Sequence, residues 1–191
     1  MAQNKGTVHV AVEGDIYSYA TTEAAPTAIN TPVPETATTR GYLTEDGVSY
    51  DEQVSSTTIT AWQGSTLVRT IKTEGSVEIS LASLQIDDAN LEWWVGKPKG
   101  ADGGYEYNPT ETGGKQSYDL FAYDLGTRRL VRIYVPEAEI TSRDTLQFVS
   151  TGAATLGATL TAYKSDELGY TYKIWEGEIP EGLEDPEVPE D

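Results

Sequence analysis

Residues 41–96 read GYLTEDGVSYDEQVSSTTITAWQGSTLVRTIKTEGSVEISLASLQIDDANLEWWVG. This stretch is dominated by β-branched and polar residues punctuated by single glycines at turn positions. Residues 41–44 and 48–53 predict a hairpin around Glu45-Asp46-Gly47, because Asp-Gly is a strong turn signal. Residues 56–62 form the next strand, and Gln63-Gly64 turns it into 66–72. Glu74-Gly75 then turns that strand into 77–84. In the last strand Val77, Ile79 and Leu81 share one face, and Glu78, Ser80 and Ala82 share the other. Alternation of this kind suits a sheet with one wet side. Asp87 or Asp88 is placed to cap a short helix. Leu91, Trp94 and Val95 fall on one helical face, and Gly96 is placed to end it.

Working outward, 7–12 alternates with Val8, Val10 and Val12 on one face, predicting a half-buried strand that continues past Gly14. Residues 21–38 turn to Thr, Ala and Pro. Pro26, Pro32 and Pro34 exclude a central strand or helix interior there. So long a segment is rare in a compact domain without a task, and contact with a neighbouring subunit is one such task. Residues 97–116 are Gly-rich, contain Pro98 and Pro109, and read as a second long loop. Residues 117–123 and 129–135 predict another hairpin. Segments 137–141, 145–149, 158–164 and 170–175 complete the β pattern. The expected fold is mainly β, an antiparallel β-sandwich or barrel with one short flanking α-helix and two long loops. The expected organisation is one β domain over 1–177 and an acidic, disordered tail over 178–191.

Among 191 residues, 13 Lys+Arg face 31 Asp+Glu, a formal net charge of -18. The tail holds seven acids and no base, so the rest of the chain still carries 24 acids against 13 bases. Acidity therefore belongs to the fold as well as to the tail. It disfavours binding nucleic acid through a basic groove. With no cysteine, disulfides, thiol catalysis and Cys-ligated zinc are excluded. The first residues show no basic region followed by an apolar run, so no secretory signal is expected. No apolar run is long enough to cross a membrane.

Catalytic motifs fail one by one. His9 is the only histidine, which rules out a His-based triad or multi-His metal site within one chain. Strand parity puts it on the polar face. Gly113-Gly114-Lys115 hints at a phosphate loop, but Pro109 and Gln116 occupy positions that require Gly and Ser or Thr. Asn108-Pro109-Thr110 is not a glycosylation site, because Pro is in the middle. No calcium loop is present, and Asp87-Asp88 reads as helix capping. Trp94 falls on the apolar helix face and is expected in the core. Trp93 lies off that stripe and is expected at a subunit contact.

The quoted block resembles the major tail (tail tube) proteins of long, non-contractile-tailed bacteriophages, those of actinobacterial phages in particular. The pieces are 41–48 (GYLTEDGV), 59–64 (ITAWQG), 67–70 (LVRT) and 91–96, in the family's order and spacing. Residues 129–141 (RLVRIYVPEAEIT) resemble a later strand pair of the family, and 158–163 its closing strand. Two departures stand out. Gln85-Ile86-Asp87 occupies the place where the family has an acidic and a small polar residue. The acidic tail replaces an additional C-terminal domain that some members carry.

The resemblance implies a subunit of stacked hexameric rings that conduct the genome during ejection. Six copies giving four strands each make a closed wall without free edges. At about 4.8 Å between strands its backbone diameter is at least ~37 Å. The implied partners are further copies of the chain and the tape-measure, tail-terminator and baseplate proteins. Double-stranded DNA is only non-specific cargo, no membrane or cofactor is involved, and the chain is not an enzyme. The implied location is the virion tail, with assembly in the host cytoplasm. Residues 48–62 and 66–84 are expected to supply the wall, with Glu74 and Glu78 as lumen charges. Pro26, Pro32, Pro34, Trp93, Tyr105 and Tyr107 are expected at contacts between subunits or rings. Two other readings compete. One is a carbohydrate-binding or host-recognition β-sandwich module, and the other a tube protein of a related injection or secretion machine.

Overall fold

The computed structural model describes residues 9–62 and 65–180, with the backbone alone at 72–74. Eight strands and one helix follow in chain order. They are β1 (Glu13–Ala20), β2 (Thr38–Thr39), β3 (Leu43–Thr60) and β4 (Leu67–Ser83), then α1 (Asp88–Val95). After the helix come β5 (Gln116–Asp124), β6 (Arg129–Arg143), β7 (Leu156–Ala162) and β8 (Lys173–Glu178). All pairings are antiparallel, in the order β2-β1-β5-β6-β7-β4-β3, with β8 also on β6. The sheet is mainly antiparallel β, as the sequence predicts, and one chain does not close it into a barrel.

β6 joins two half-sheets. On one side it pairs with β5. On the other, Arg129–Tyr134 pairs with β8 and Ala138–Arg143 with β7. Pro136 lies in the gap between the two ladders, so its missing N–H costs no strand bond. β5 also changes register there, and Ser117 Oγ donates to Pro136 O at 2.7 Å. The sequence predicts separate strands at 129–135 and 137–141; the chain runs straight through.

The halves fold over one another. Ile16 of β1 and Ile79 of β4 are four strands apart in the sheet order, yet both line one apolar cavity of ≈ 50 Å³ with Val48, Tyr118, Leu120 and Val135. Leu81, Ile140, Leu160 and Trp93 complete this core. A second, smaller core sits on the opposite face of the first half-sheet. There Phe121, Tyr123 and Leu130 are covered by Ile29, Val33 and Ile179. The first half-sheet is thus buried on both faces, while the second, β3-β4-β7 with the end of β6, has one face open.

The helix has the predicted ends. Asp87 Oδ1 accepts from Asn90 N at 2.8 Å, and Gly96 closes the helix at φ +84°. Its rotation differs from the prediction. Trp93 is buried in the core and donates from Nε1 to Tyr118 OH at 2.9 Å, with the Arg40 guanidinium over its ring at 5.2 Å. Trp94 is half-buried, donates to Gly157 O and stacks on Tyr107. Hydropathy places Asn90 outward, whereas the core takes Asn90 and Trp93 together. Trp93 is therefore a core residue of its own chain and not a contact residue.

Other expectations shift as well. Glu45-Asp46-Gly47 does not turn a hairpin. β3 runs on, and the register jumps from Leu43↔Ser83 to Val48↔Leu81. Gly47, at φ +64°, serves a bulge. Gly75 lies inside β4, opposite Val54. Two long strands therefore stand where the sequence predicts five short ones. Val10 and Val12 are exposed, and β1 starts at Glu13. Residues 145–149 form no strand, only a bridge from Val149 to Gly152.

Candidate assembly surface

The open face of the second half-sheet is built from alternate residues of four strands. β3 contributes Ser49, Asp51 and Gln53, and β4 contributes Ser76, Glu78 and Ser80 opposite them. β7 adds Thr159 and Thr161, and β6 adds Glu139. Their in-strand neighbours Val77, Ile79, Leu81, Leu160 and Ile140 point into the core, so the alternation fixes this face as the polar one. Hydroxyls bond across it. Ser80 Oγ and Thr159 Oγ1 are 3.0 Å apart, and Thr141 Oγ1 and Thr161 Oγ1 are 2.8 Å apart.

Two carboxylates on this side, Glu139 and Glu137, are fixed in place. Tyr163 OH donates to Glu139 Oε1 at 2.6 Å and Thr112 Oγ1 to Oε2 at 2.7 Å, which holds that carboxyl below the usual range. Lys115 lies 3.0 Å from Glu137 and holds it down likewise. Lys115 also sits over the Tyr163 ring at 4.9 Å. Its charge is thus already matched within the chain.

Two strand edges border this face. β3 ends the sheet order, and among the described residues no strand pairs with its outer side along 18 residues. At the other border, no strand among the described residues pairs with the far side of Glu139–Arg143. Loop 96–115 touches that border through side chains, Thr112 to Glu139 and Arg143 to Glu111 O. A long bare edge is a template for another strand.

β3 and β4 also overhang the sheet. β4 meets β7 only from Val77 onward, whereas the β3–β4 pairing continues out to Thr60↔Leu67. Ala61 N donates to Thr66 O at 2.8 Å and closes the hairpin where a turn is predicted. Gln63 and Gly64 themselves lie outside the described residues.

The remaining site residues fall in different places. Glu78 lies on the polar face, and Glu74 pairs with Ser55 on the overhang. The 21–37 arm is folded onto its own chain, not free. Arg132, fully buried, donates from Nη1 to the carbonyls of Ala28, Ile29 and Thr31. Pro26 is consequently buried and unavailable at the surface of the free chain, while Pro32 is exposed and Pro34 half-buried. Tyr105 OH donates to Asp88 at 3.1 Å. Tyr107 is about half exposed and lies under the Arg143 guanidinium at 5.2 Å. His9 sits 3.3 Å from Glu176. The buried Arg132–Asp119 pair went unread in the sequence. Its signal was Asp119 and Arg132 at matching parity in adjacent predicted strands.

A sheet with one hydroxyl-and-carboxylate face and a long edge that no strand covers among the described residues is one that further strands can extend. The chain is a member of the phage tail tube protein family, whose profile matches residues 1–177. No curated protein matches the chain. Similar solved structures include the tube-terminating cap of the anti-feeding prophage, 14% identical with a TM-score of 0.46, covering 80% of this chain and 97% of that one. Another is the sheath-tube complex of an extracellular contractile injection system in its extended state, 14% identical with a TM-score of 0.45, covering 78% and 94%. A third is the anti-feeding prophage baseplate, 9% identical with a TM-score of 0.44, covering 91% and 97%.

Proposed function

We propose that six copies form a ring in which the four-stranded half-sheets join edge to edge, and that stacked rings make a tube for the genome. The observation carrying this reading is the outer edge of β3, with which no strand pairs among the described residues, bordering a polar face. In the ring, β3 of one copy lies along the β6 end and loop 96–115 of the next. The polar face then lines the lumen, with Asp51, Glu78 and Glu139 toward the cargo. A wall of hydroxyls and carboxylates keeps DNA from sticking, because each free cation contact would release counterions and favour binding. Glu74 remains a proposed lumen charge. Pro32, Pro34, Tyr105 and Tyr107 remain proposed contacts between copies. The chain acts without catalysis or cofactor. Its other partners are the tape-measure, tail-terminator and baseplate proteins, in a virion tail assembled in the host cytoplasm.

The chain has no cysteine, so introduced thiols report the contact cleanly. Within one chain β3 and β6 are separated by β4 and β7, roughly 14 Å, too far for a disulfide. Thr141→Cys combined in turn with Ser49→Cys, Asp51→Cys or Gln53→Cys tests the edge in assembled protein. At least one pair is expected to give, on oxidation, a covalent ladder ending at six chains. Monomers alone from all three pairs, or a ladder ending at another number, contradicts the ring.

A further inference from the structure

A strand edge that can extend a sheet has to be kept from pairing too early, and native chains lay a loop or a helix across such edges. Ring closure as proposed above needs two edges, β3 of one copy and Glu139–Arg143 of β6 in the next. Among the described residues no strand covers either. The β6 edge differs in having loop 96–115 along it.

That loop is tied down without a ladder. β5 pairs with β6 only as far as Gln116↔Ala138. Beyond that point no backbone hydrogen bond among the described residues joins the loop to Glu139–Arg143. Pro98 and Pro109 lack the N–H that a strand would offer there. Side chains make the ties instead. Thr112 Oγ1 donates to Glu139 Oε2 at 2.7 Å, and Arg143 Nη2 to Glu111 O at 3.5 Å. Lys99 Nζ and Tyr105 OH donate to Asp88 Oδ1 of the helix at 2.8 and 3.1 Å. The Lys99–Asp88 pair lies at the surface, where ion pairs add little stability.

The loop also has the build of a moving part. Its two ends meet. A Cβ on Gly113 would fall 2.6 Å from Gly96 Cα, and both glycines, with Gly114, hold φ between +83° and +86°. Residues 97–112 therefore form an Ω-loop on a glycine base. The loop is bonded within itself, since the Glu111 carboxylate takes Lys97 Nζ at 2.7 Å and Asn108 Nδ2 at 3.0 Å. Behind it lies a cavity of ≈ 180 Å³, walled on the loop side by Lys97, Pro98 and Thr112 and on the body side by Trp93, Tyr118 and Ile140. At that place the loop stands off the sheet and is not packed into it.

We propose that loop 96–115 is a flap that guards the β6 edge in the free chain and swings out on its Gly96–Gly113 base when β3 of another copy arrives. The side-chain ties are exchanged for a backbone ladder, and the flap then lies against the incoming strand. This rests on the ring reading above and adds its control. Masking one edge is enough to hold free chains apart, because pairing needs both. Assembly then starts with a lag set by flap opening.

Tying the flap down and loosening it test this in opposite directions. Thr112→Cys with Glu139→Cys places two thiols in a chain that has no other, within reach of a short bifunctional thiol reagent. The bridged form is expected to stay monomeric in mass photometry, with at least a tenfold loss of rings. The unbridged form, and each single variant carrying the same reagent, are expected to form rings. Rings from the bridged form at the unbridged level overturn the flap while leaving the ring reading standing. An equal loss from the reagent-bearing single variants overturns it too, since the tie then adds nothing to the reagent's bulk. Lys99→Ser with Thr112→Val cuts two ties and is expected to shorten the lag, followed by light scattering, at least threefold. It also removes a positive charge from a chain of net charge -18, so added repulsion alone would lengthen the lag. Wild-type assembly without a lag, or a lag that this variant leaves unchanged or lengthens, overturns the flap. Absence of rings in wild type defeats the ring reading and this inference with it.

Discussion

Arg132 is the residue on which most of the first half-sheet's outer face depends. Its Nε donates to Asp119 Oδ1 at 2.9 Å and its Nη2 to Oδ2 at 2.5 Å, with both side chains buried. Phe121 lies 4.8 Å from the guanidinium and Trp175 5.8 Å. Burial pushes the Asp119 carboxyl up, and the paired guanidinium offsets part of that push. Removing one partner leaves a buried charge unpaired. Arg132→Met is expected to lose about 3–5 kcal/mol in urea unfolding, and Arg132→Met with Asp119→Leu clearly less. Equal losses would show that the pair is not the reason. Glu139 makes a second prediction, in acid. Its bonds from Tyr163 and Thr112 lower its folded value, so they stabilise at neutral pH and are lost as pH falls through that lowered value. Glu137 and Asp124 act in the same direction. Glu139→Gln is therefore expected to flatten the fall of the thermal midpoint below the ordinary carboxylate range. An unchanged acid limb contradicts the assignment.

Among the elements, the helix stop is the most constrained joint. A Cβ on Gly96 would lie 2.7 Å from Gly113 Cα, at a backbone of φ +84°. Gly96→Ala is expected to cost about 1–3 kcal/mol, and adding Gly113→Ala less than a second full increment, because both relieve through the same contact. Full additivity in thermal unfolding would contradict this account. The caps at Asp87 and Gly96 were legible because capping is local chemistry. The strand alternation in β4, β5 and β6 was legible because period two survives in any partner context. The helix rotation was not: a buried hydrogen bond from Trp93 to Tyr118 and a buried Asn90 outrank hydropathy, and both depend on residues far away in the chain. Gly47 and Gly75 misled for a similar reason. Glycine marks a backbone irregularity, and only the partner strand decides between a turn and a bulge. The arm at 21–37 was recognisable as irregular, but its docking on Arg132 is a tertiary fact. Its removal would uncover Phe121, Tyr123 and Leu130, so loss of polymer after deletion would not by itself show a contact between copies.

At the scale of the molecule, one chain presents a sheet that is buried on both faces in one half and open on one face in the other. The polar face was foreshadowed by the Ser, Thr and Glu positions of β3 and β4. The overhang was not, because its length follows from β7 ending at Ala162. A single copy leaves the outer edge of β3 without a strand among the described residues and a wall of carboxylates facing nothing. Assembly answers both at once. Electron microscopy of the purified full-length chain measures this most directly. The account predicts hollow tubes built of six-fold rings, with end views showing a lumen bounded by a continuous sheet. Compact single-copy particles at every protein and salt concentration would contradict it.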